Sequence, residues 1–200
     1  MSNQLQIKIN SPFKDGSLAL YENFIDIAEC NSLYTDILSK NHWNNAKYTV
    51  AGRVFSMPRV QTWYADPGVV YNFKYHLHDR RNWTPALQGL KQKVEFFTGN
   101  RFNSVLINWY RDGRDWVDWH SDDEIELGDN PFIASFSLGA TRKFCFRQKN
   151  TIKSEYRLLP EGSLLLMYPE FQHHWQHCIA RDKAILAPRL NFTFRHVKMP

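Results

Sequence analysis

The chain changes period at Gly99, and no other feature of the sequence constrains its fold as much. Ahead of that glycine, Thr84 can cap a helix, Pro85 suits the first helical position, and Leu87, Leu90, Val94 and Phe97 make one apolar stripe. The spacing therefore predicts a helix from Pro85 to Phe97. Residues 17–40 mix Leu18, Phe24, Ile25, Ile37 and Leu38 with acids and read as one or two short helices. Past Gly99 the apolar positions recur every second residue. Strands are expected near 104–110, 115–121, 132–138, 142–147, 163–168, 173–179 and 189–197, with an earlier one near 69–75. Helices first and many short strands after predict an α+β protein with a jelly-roll or barrel core. The mouth of such a core can hold a ligand between inward side chains.

At 200 residues, with 43% hydrophobic and 15% aromatic side chains, the chain supports one domain with a sizeable core. Its start, Met1 to Gln6, is neither basic nor apolar, and the longest apolar cluster, residues 164–168, is far too short to span a bilayer. A soluble, non-secreted protein with no membrane partner is expected. Cys30, Cys145 and Cys178 are odd in number and widely spaced, which fits a reducing compartment better than a disulfide framework, and none has a zinc-type spacing.

The net charge of +5 is unevenly placed. Lys and Arg outnumber Asp and Glu by eleven to four in residues 47–114 and again by eleven to four in residues 131–200. Between those blocks, residues 115–130 hold seven acids and no base: Asp115, Asp118, Asp122, Asp123, Glu124, Glu126 and Asp129. Such an island can hold a cation while the basic flanks meet a polyanion, although a solvated acidic turn would look the same. Within the island His120-x-Asp122 puts an imidazole and a carboxylate on one side of an extended backbone, where both can grip one metal ion.

Three strands carry polar faces that a plain core would not need. In residues 189–195, Arg189, Asn191, Thr193 and Arg195 alternate without error against Leu190, Phe192 and Phe194. The polar set is either a wet face or the lining of a pocket in which two guanidiniums hold a small dianion. Asn108 and Tyr110 share a face of an otherwise apolar strand and could orient a ligand by directional hydrogen bonds. In Phe171 to Ile179, read as a strand, His173 and His177 face one way and His174 the other, and spacing alone does not choose a metal ligand among them.

Taken in order, Asn108-x-Tyr110, His120-x-Asp122, a distal His and Arg189-x-Asn191-x-Thr193-x-Arg195 resemble the AlkB family of iron(II) and 2-oxoglutarate dependent dioxygenases. The likeness runs from about Pro58 to Val197, and Asp118-Trp119-His120-Ser121-Asp122-Asp123-Glu124 looks like the branch that repairs alkylated bases. It implies a double-stranded β-helix (jelly-roll) core at residues 104–200 with flanking helices. A nucleotide-recognition lid and supporting helix would occupy 51–103, and an N-terminal extension 1–50, all in one domain. The Trp175-Gln176-His177 ending selects His177 over His173, so that His120, Asp122 and His177 would bind Fe(II). Two histidines and one carboxylate leave coordination positions open for 2-oxoglutarate and O2. By the same likeness Arg189 would hold the distal carboxylate of 2-oxoglutarate and Arg195 would lie near its other end, with Asn108, Tyr110, Asn191 and Thr193 completing the shell.

The implied reaction is oxidative demethylation of bases such as N1-methyladenine and N3-methylcytosine in DNA or RNA, releasing formaldehyde and succinate, with a role in alkylation damage repair. Such lesions block pairing, so extruding the base costs less. Counting without gaps from Pro58-Arg59-x-Gln61, the likeness assigns Tyr71 and Phe73 to stacking on the flipped base. Asp123 and Glu124 are assigned to the base edge or to organising Arg59. Lys74, Arg80, Arg81, Arg142 and Arg147 are candidate phosphate contacts. Where duplex-active relatives carry a bulky apolar finger the same count lands on Ala51, unless Val50, Arg53 or Phe55 substitutes, and single-stranded substrates are therefore expected. The protein is expected to be a monomer and intracellular, cytoplasmic in a bacterium, nuclear or cytoplasmic in a eukaryote. Two alternatives are an iron/2-oxoglutarate hydroxylase of a protein or small molecule, and a non-catalytic nucleic-acid binding module.

Overall fold

In the computed structural model, residues 6–9, 18–40, 43, 47–50, 52–73, 76–77 and 79–198 are described. In chain order the elements are β1 (Gln6–Ile9), β2 (Leu18–Tyr21), α1 (Ile27–Lys40), β3 (Lys47–Val50), β4 (Arg53–Ser56), β5 (Val60–Ala65), β6 (Asn72–Phe73), β7 (His76–Leu77), β8 (Arg80–Arg81) and α2 (Pro85–Thr98). There follow β9 (Ser104–Tyr110), β10 (Val117–His120), β11 (Ile133–Gly139), β12 (Arg142–Gln148), β13 (Glu155–Leu159), β14 (Leu164–Met167), α3 (Phe171–His174), β15 (Trp175–Ile179) and β16 (Arg189–Arg195). Eight strands form a major sheet in the order β1-β2-β14-β11-β16-β9-β5-β8, and four form a minor sheet, β10-β15-β12-β13. The hairpins β3-β4 and β6-β7 stand apart from both.

Three layers follow from how the apolar faces are spent. Leu190, Phe192 and Phe194 of β16, with Val105 and Ile107 of β9, pack with Leu33 and Ile37 of α1 and Leu87, Leu90 and Val94 of α2. On the other side of the major sheet, Tyr110, Ile133, Leu165 and Met167 meet Phe144, Phe146, Trp175 and Ile179 of the minor sheet. Every residue of β16 is buried, so its polar set is not a wet face. It points between the sheets, where polar side chains persist only if they bond one another or a ligand. This is the double-sheet jelly roll that the alternation predicts.

Helix α2 matches its sequence signals. Thr84 Oγ1 accepts from the Leu87 N–H at 3.3 Å, Pro85 opens the helix, and Gly99 closes it at φ 70°, donating its N–H to the Glu95 carbonyl. A side chain at Gly99 would be strained by that left-handed backbone. Elsewhere the sequence reading needs correction. Residues 17–40 do not hold only helix: Leu18–Tyr21 is a strand paired with β14, buried on both faces, and its unbroken apolar run has no period to distinguish it from a helix. Strands β5 and β13 and the β3-β4 hairpin were not expected. β5 is buried along its whole length, which hides its alternation. The expected strand at 69–75 is reduced to Asn72–Phe73, and that at 173–179 begins only at Trp175, because Phe171 to His174 form a helical turn behind Glu170 at φ 76°. Strands on both sides of residue 104 share the major sheet. Among the described residues no helix is long and apolar enough to cross a membrane.

Candidate active site

β10 and β15 are antiparallel neighbours, and their register sets His120 opposite His177, with an irregularity between Val117 and His120. The two rings lie 4.2 Å apart between centroids, and His120 Nε2 is 3.8 Å from Asp122 Oδ1. One ligand atom from each of His120, Asp122 and His177 falls within 4.8 Å of the others. His173 and His174 sit on the α3 turn and do not belong to this cluster, which removes the ambiguity that spacing left. The His120 Nδ1 lies 2.7 Å from the Asp118 carbonyl, which fixes the proton on Nδ1 and leaves the Nε2 lone pair available. Burial lowers the His120 pKa and so favours the neutral, ligating form. His177 is held by its ring stacking on Phe144 at 5.2 Å.

Asp122 is the most constrained of the three. Its backbone N–H donates to Gln172 Oε1 at 2.9 Å, and the preceding Ser121 hydroxyl donates to the Trp175 carbonyl at 2.7 Å, so α3 and the start of β15 clamp the His-x-Asp segment. Burial alone would raise the Asp122 pKa, but the Arg195 guanidinium and the two imidazoles outweigh it and hold the carboxyl well below its usual range. Arg195 Nη2 meets Asp122 Oδ2 at 2.8 Å, leaving Oδ1 buried with no hydrogen-bond donor.

One cavity between the sheets is lined by His120, Asp122 and His177 together with Asn108, Tyr110, Arg189, Asn191, Thr193, Arg195 and Arg59. Arg189 donates from Nη2 to Ser137 Oγ at 3.0 Å and lies over the Tyr110 ring at 5.3 Å. Burial pushes its pKa down to about 10, and its Nε and Nη1 have no hydrogen-bond partner. Asn191 donates to Ser135 Oγ at 2.8 Å and accepts from Thr193 Oγ1 at 3.0 Å. Asn108 Oδ1 accepts from Arg59 Nε at 2.9 Å and Gln61 Nε2 at 2.8 Å.

These unsatisfied groups suit iron and 2-oxoglutarate. A buried carboxylate oxygen without a donor, beside two imidazoles, is the donor set of a non-haem iron(II) site. Two orphaned guanidinium nitrogens in the same cavity call for a carboxylate, since unpaired buried donors are costly.

The residues assigned to substrate are more scattered. Arg59 is organised by Asn108 and the Trp116 carbonyl, and it belongs to the cavity wall. Tyr71 is 2% exposed, packs against Trp63 at 6.1 Å, and has its hydroxyl pKa raised by burial and by Glu124, which hydrogen-bonds it. A base could stack on Tyr71 only if that cluster opened. Phe73 pairs with His76 in the β6-β7 hairpin, and its side chain lies outside the described residues, as do Lys74 and Ala51. Asp123 is exposed and reaches Lys149 at 3.3 Å, while Glu124 is half-buried. Arg80 is exposed and Arg81 half-buried; Arg147 is half-buried, 4.2 Å over the Trp119 ring. Arg142 is corrected outright, because it is 1% exposed and cannot meet a phosphate.

Gln61, Ser121, Ser135, Ser137 and Gln172 were not singled out from sequence. Ser135 and Ser137 had a signal: they alternate with Ala134, Phe136 and Leu138 as the β16 polar set does, and they pair across the sheet with Thr193 and Asn191. Gln172 had none, since its partner is the backbone of a distant loop.

Comparison with known proteins agrees with this geometry. The family model described as the 2OG-Fe(II) oxygenase superfamily matches residues 17–195. The chain is 35% identical over 196 residues to alpha-ketoglutarate-dependent dioxygenase alkB homolog 3 of Homo sapiens, covering 94% of this chain and 68% of that protein. To DNA oxidative demethylase ALKBH2 of Mus musculus it is 41% identical over 160 residues, covering 76% and 67%. The solved structure of OsALKBH1 superposes with a TM-score of 0.59 at 17% identity, over 92% of this chain and 98% of that one, a likeness of fold. The chain belongs to the AlkB family of the 2OG-Fe(II) oxygenase superfamily.

Proposed function

We propose that this protein removes N-linked methyl groups from bases of DNA or RNA by oxidation, with iron(II) as its metal and 2-oxoglutarate and O2 as cosubstrates. The observation that carries this reading is one cavity in which a two-histidine, one-carboxylate cluster faces a buried guanidinium with unanswered donors. Relatives named as an alpha-ketoglutarate-dependent dioxygenase and a DNA oxidative demethylase support the substrate class. When bound, iron(II) with 2-oxoglutarate and O2 supplies the oxidising power that places one oxygen atom in a methyl C–H bond, the other entering succinate as CO2 is lost. The hydroxymethyl group left on the base nitrogen then departs as formaldehyde.

The chain's own part is to position and to tune. His120 Nε2, Asp122 Oδ1 and His177 would hold the metal, with Asp118 fixing the His120 tautomer and Arg195 keeping Asp122 ionised. Arg189, aided by Ser137 and Tyr110, would take the distal carboxylate of the cosubstrate through a paired hydrogen bond. Asn191 and Thr193 are locked by their mutual bond, and this fixes the cavity floor at little cost in side-chain entropy. Single-stranded nucleic acid is the favoured substrate, because Ala51 lacks the bulk to fill the gap left by a flipped base. The protein works as a monomer in this reading.

Mass spectrometry of single-stranded oligonucleotides carrying N1-methyladenine or N3-methylcytosine, incubated with iron(II), ascorbate and 2-oxoglutarate, should show loss of the methyl mass with succinate formed. Asp122→Ala should reduce both to background; unchanged turnover would refute the metal assignment. Annealing the same oligonucleotide should slow repair, and faster repair of the duplex would end the single-strand preference.

A further inference from the structure

Arg142 opens β12 and is buried to 1% exposure. Its guanidinium donates to the carbonyls of Asp115 at 2.8 Å, Ala180 at 2.8 Å and Asp112 at 3.2 Å. Those carbonyls belong to two loops, the one joining β9 to β10 and the one joining β15 to β16, which clasp each other at Gly113. The Gly113 N–H donates to the Ile185 carbonyl and its own carbonyl accepts from the Asp182 N–H, each at 2.8 Å. A Cβ at Gly113 would collide with the Asp182 backbone, so the loops approach as closely as glycine permits.

Neutral carbonyls satisfy hydrogen-bond donors without cancelling a charge. Arg142 therefore hydrogen-bonds no counter-ion: burial works against its charge and the nearby Asp182, Asp115 and Asp112 carboxylates support it from a distance without pairing with its guanidinium. It lies over the Tyr110 ring at 5.4 Å, and Arg189 lies over the same ring at 5.3 Å. The Arg142 charge works against protonation of Arg189, as a like charge must. Two buried cations flanking one tyrosine, one of them with orphaned donors, make an arrangement that an anion relieves. Arg142 does not line the cavity itself, whereas Tyr110 and Arg189 do.

We infer that Arg142 is a positioning residue for the distal carboxylate of the dicarboxylate cosubstrate, acting through the Tyr110 ring that it shares with Arg189 and through its own charge beside that end of the cavity. This rests on the 2-oxoglutarate reading above. Arg142 holds the Tyr110 ring against the two-loop clasp and deepens the positive potential at one end of the ligand only. Its effect is therefore selective for a second carboxylate, and a merely structural role has no such selectivity.

The test is calorimetric titration of the manganese(II)-loaded protein with N-oxalylglycine, which carries both carboxylates, and with pyruvate, which lacks the distal one. Arg142→Met should weaken N-oxalylglycine by roughly ten-fold, the scale of one lost charge interaction near a binding site. Pyruvate should be unmoved, and KM for 2-oxoglutarate should rise in step while kcat at saturation changes less than two-fold. Arg142→Lys, which restores the charge, should recover part of the loss. Equal weakening of both ligands, or of neither, overturns the proposal. Arg189→Met run alongside separates the two readings: if it leaves N-oxalylglycine affinity intact, the cosubstrate assignment itself has failed. Should Arg142→Met not fold by circular dichroism, Arg142→Gln keeps donors for the carbonyls without the charge and must show the same selective loss; wild-type affinity for N-oxalylglycine in that variant also overturns the proposal.

Discussion

Arg189 and Arg195 share a strand, a face and near-complete burial, yet they solve the problem of a buried cation in opposite ways. Arg195 has an internal counter-ion, Asp122 at 2.8 Å, and only its Nε is orphaned. Arg189 has a serine hydroxyl, a tyrosine ring and two orphaned nitrogens. Burial lowers the proton affinity of Arg189, whereas the Asp122 charge overcomes burial and raises that of Arg195. The contrast separates a cation that completes the protein from one whose partner comes with a ligand.

The sharpest break of this symmetry is in stability. Arg195→Met strands the Asp122 carboxylate in the interior and should cost about 3–5 kcal/mol in urea unfolding, with loss of activity. Arg189→Met removes two donors that nothing answers along with the one that Ser137 accepts, and these offset, so stability should stay within about 1 kcal/mol of wild type. KM for 2-oxoglutarate should meanwhile rise about 100-fold, the worth of a charge-assisted pair. If both variants lose equal stability, the two arginines are not different in kind.

Acid should narrow the same difference in the metal-free protein. The folded Asp122 pKa is depressed, so its contribution is fully present above the unfolded carboxyl value near about 4 and is lost as pH falls toward the folded value. In Arg195→Met the largest charge opposing burial is gone and burial raises that pKa, so the sign reverses: stability should fall as pH rises from about 4 toward the raised folded value, a range in which the wild-type contribution of Asp122 is level. A gap of about 1–2 kcal/mol should open between the two unfolding profiles as pH rises from 4 to 6. Arg189→Met should follow the wild-type acid profile; a profile resembling that of Arg195→Met would show that Asp122 responds to the general field of the cavity and not to its own partner.

Much of this site was legible because strand period converts sequence into direction. Asn108, Tyr110 and the four polar residues of β16 are on the cavity wall because period two leaves them no other side, whereas Asp122 lies just past the end of β10 and is placed by the Ser121 and Gln172 hydrogen bonds. The β16 pattern could not say whether its polar face was wet, since that depends on the minor sheet, a contact distant in sequence. Arg142 failed for the same reason: a charged residue at a strand end is usually exposed, and only the two loops above it make it buried. β2 and β5 went unread because strands buried on both faces lose their alternation. The residues assigned to the base by resemblance were least legible, for they lie on short hairpins and an irregular loop where no period operates.

Ser137 provides the smallest and most discriminating measurement. Its hydroxyl accepts from Arg189 Nη2 at 3.0 Å, whereas Ser135, two residues earlier on the same face, accepts from Asn191 at 2.8 Å. If Arg189 is held ready for a carboxylate, Ser137→Ala loosens the guanidinium without removing its charge, and KM for 2-oxoglutarate should rise about three- to five-fold, the worth of one hydrogen bond. Ser135→Ala loosens an amide that also donates to the Phe136 carbonyl at 3.2 Å, so its effect should be under about two-fold. Neither change touches the Arg195 and Asp122 pair, and the acid profile should be that of wild type in both. A larger effect at Ser135 than at Ser137 would move the weight of cosubstrate binding from the guanidinium to the asparagine, and Arg189 would then need another reason to be buried unpaired.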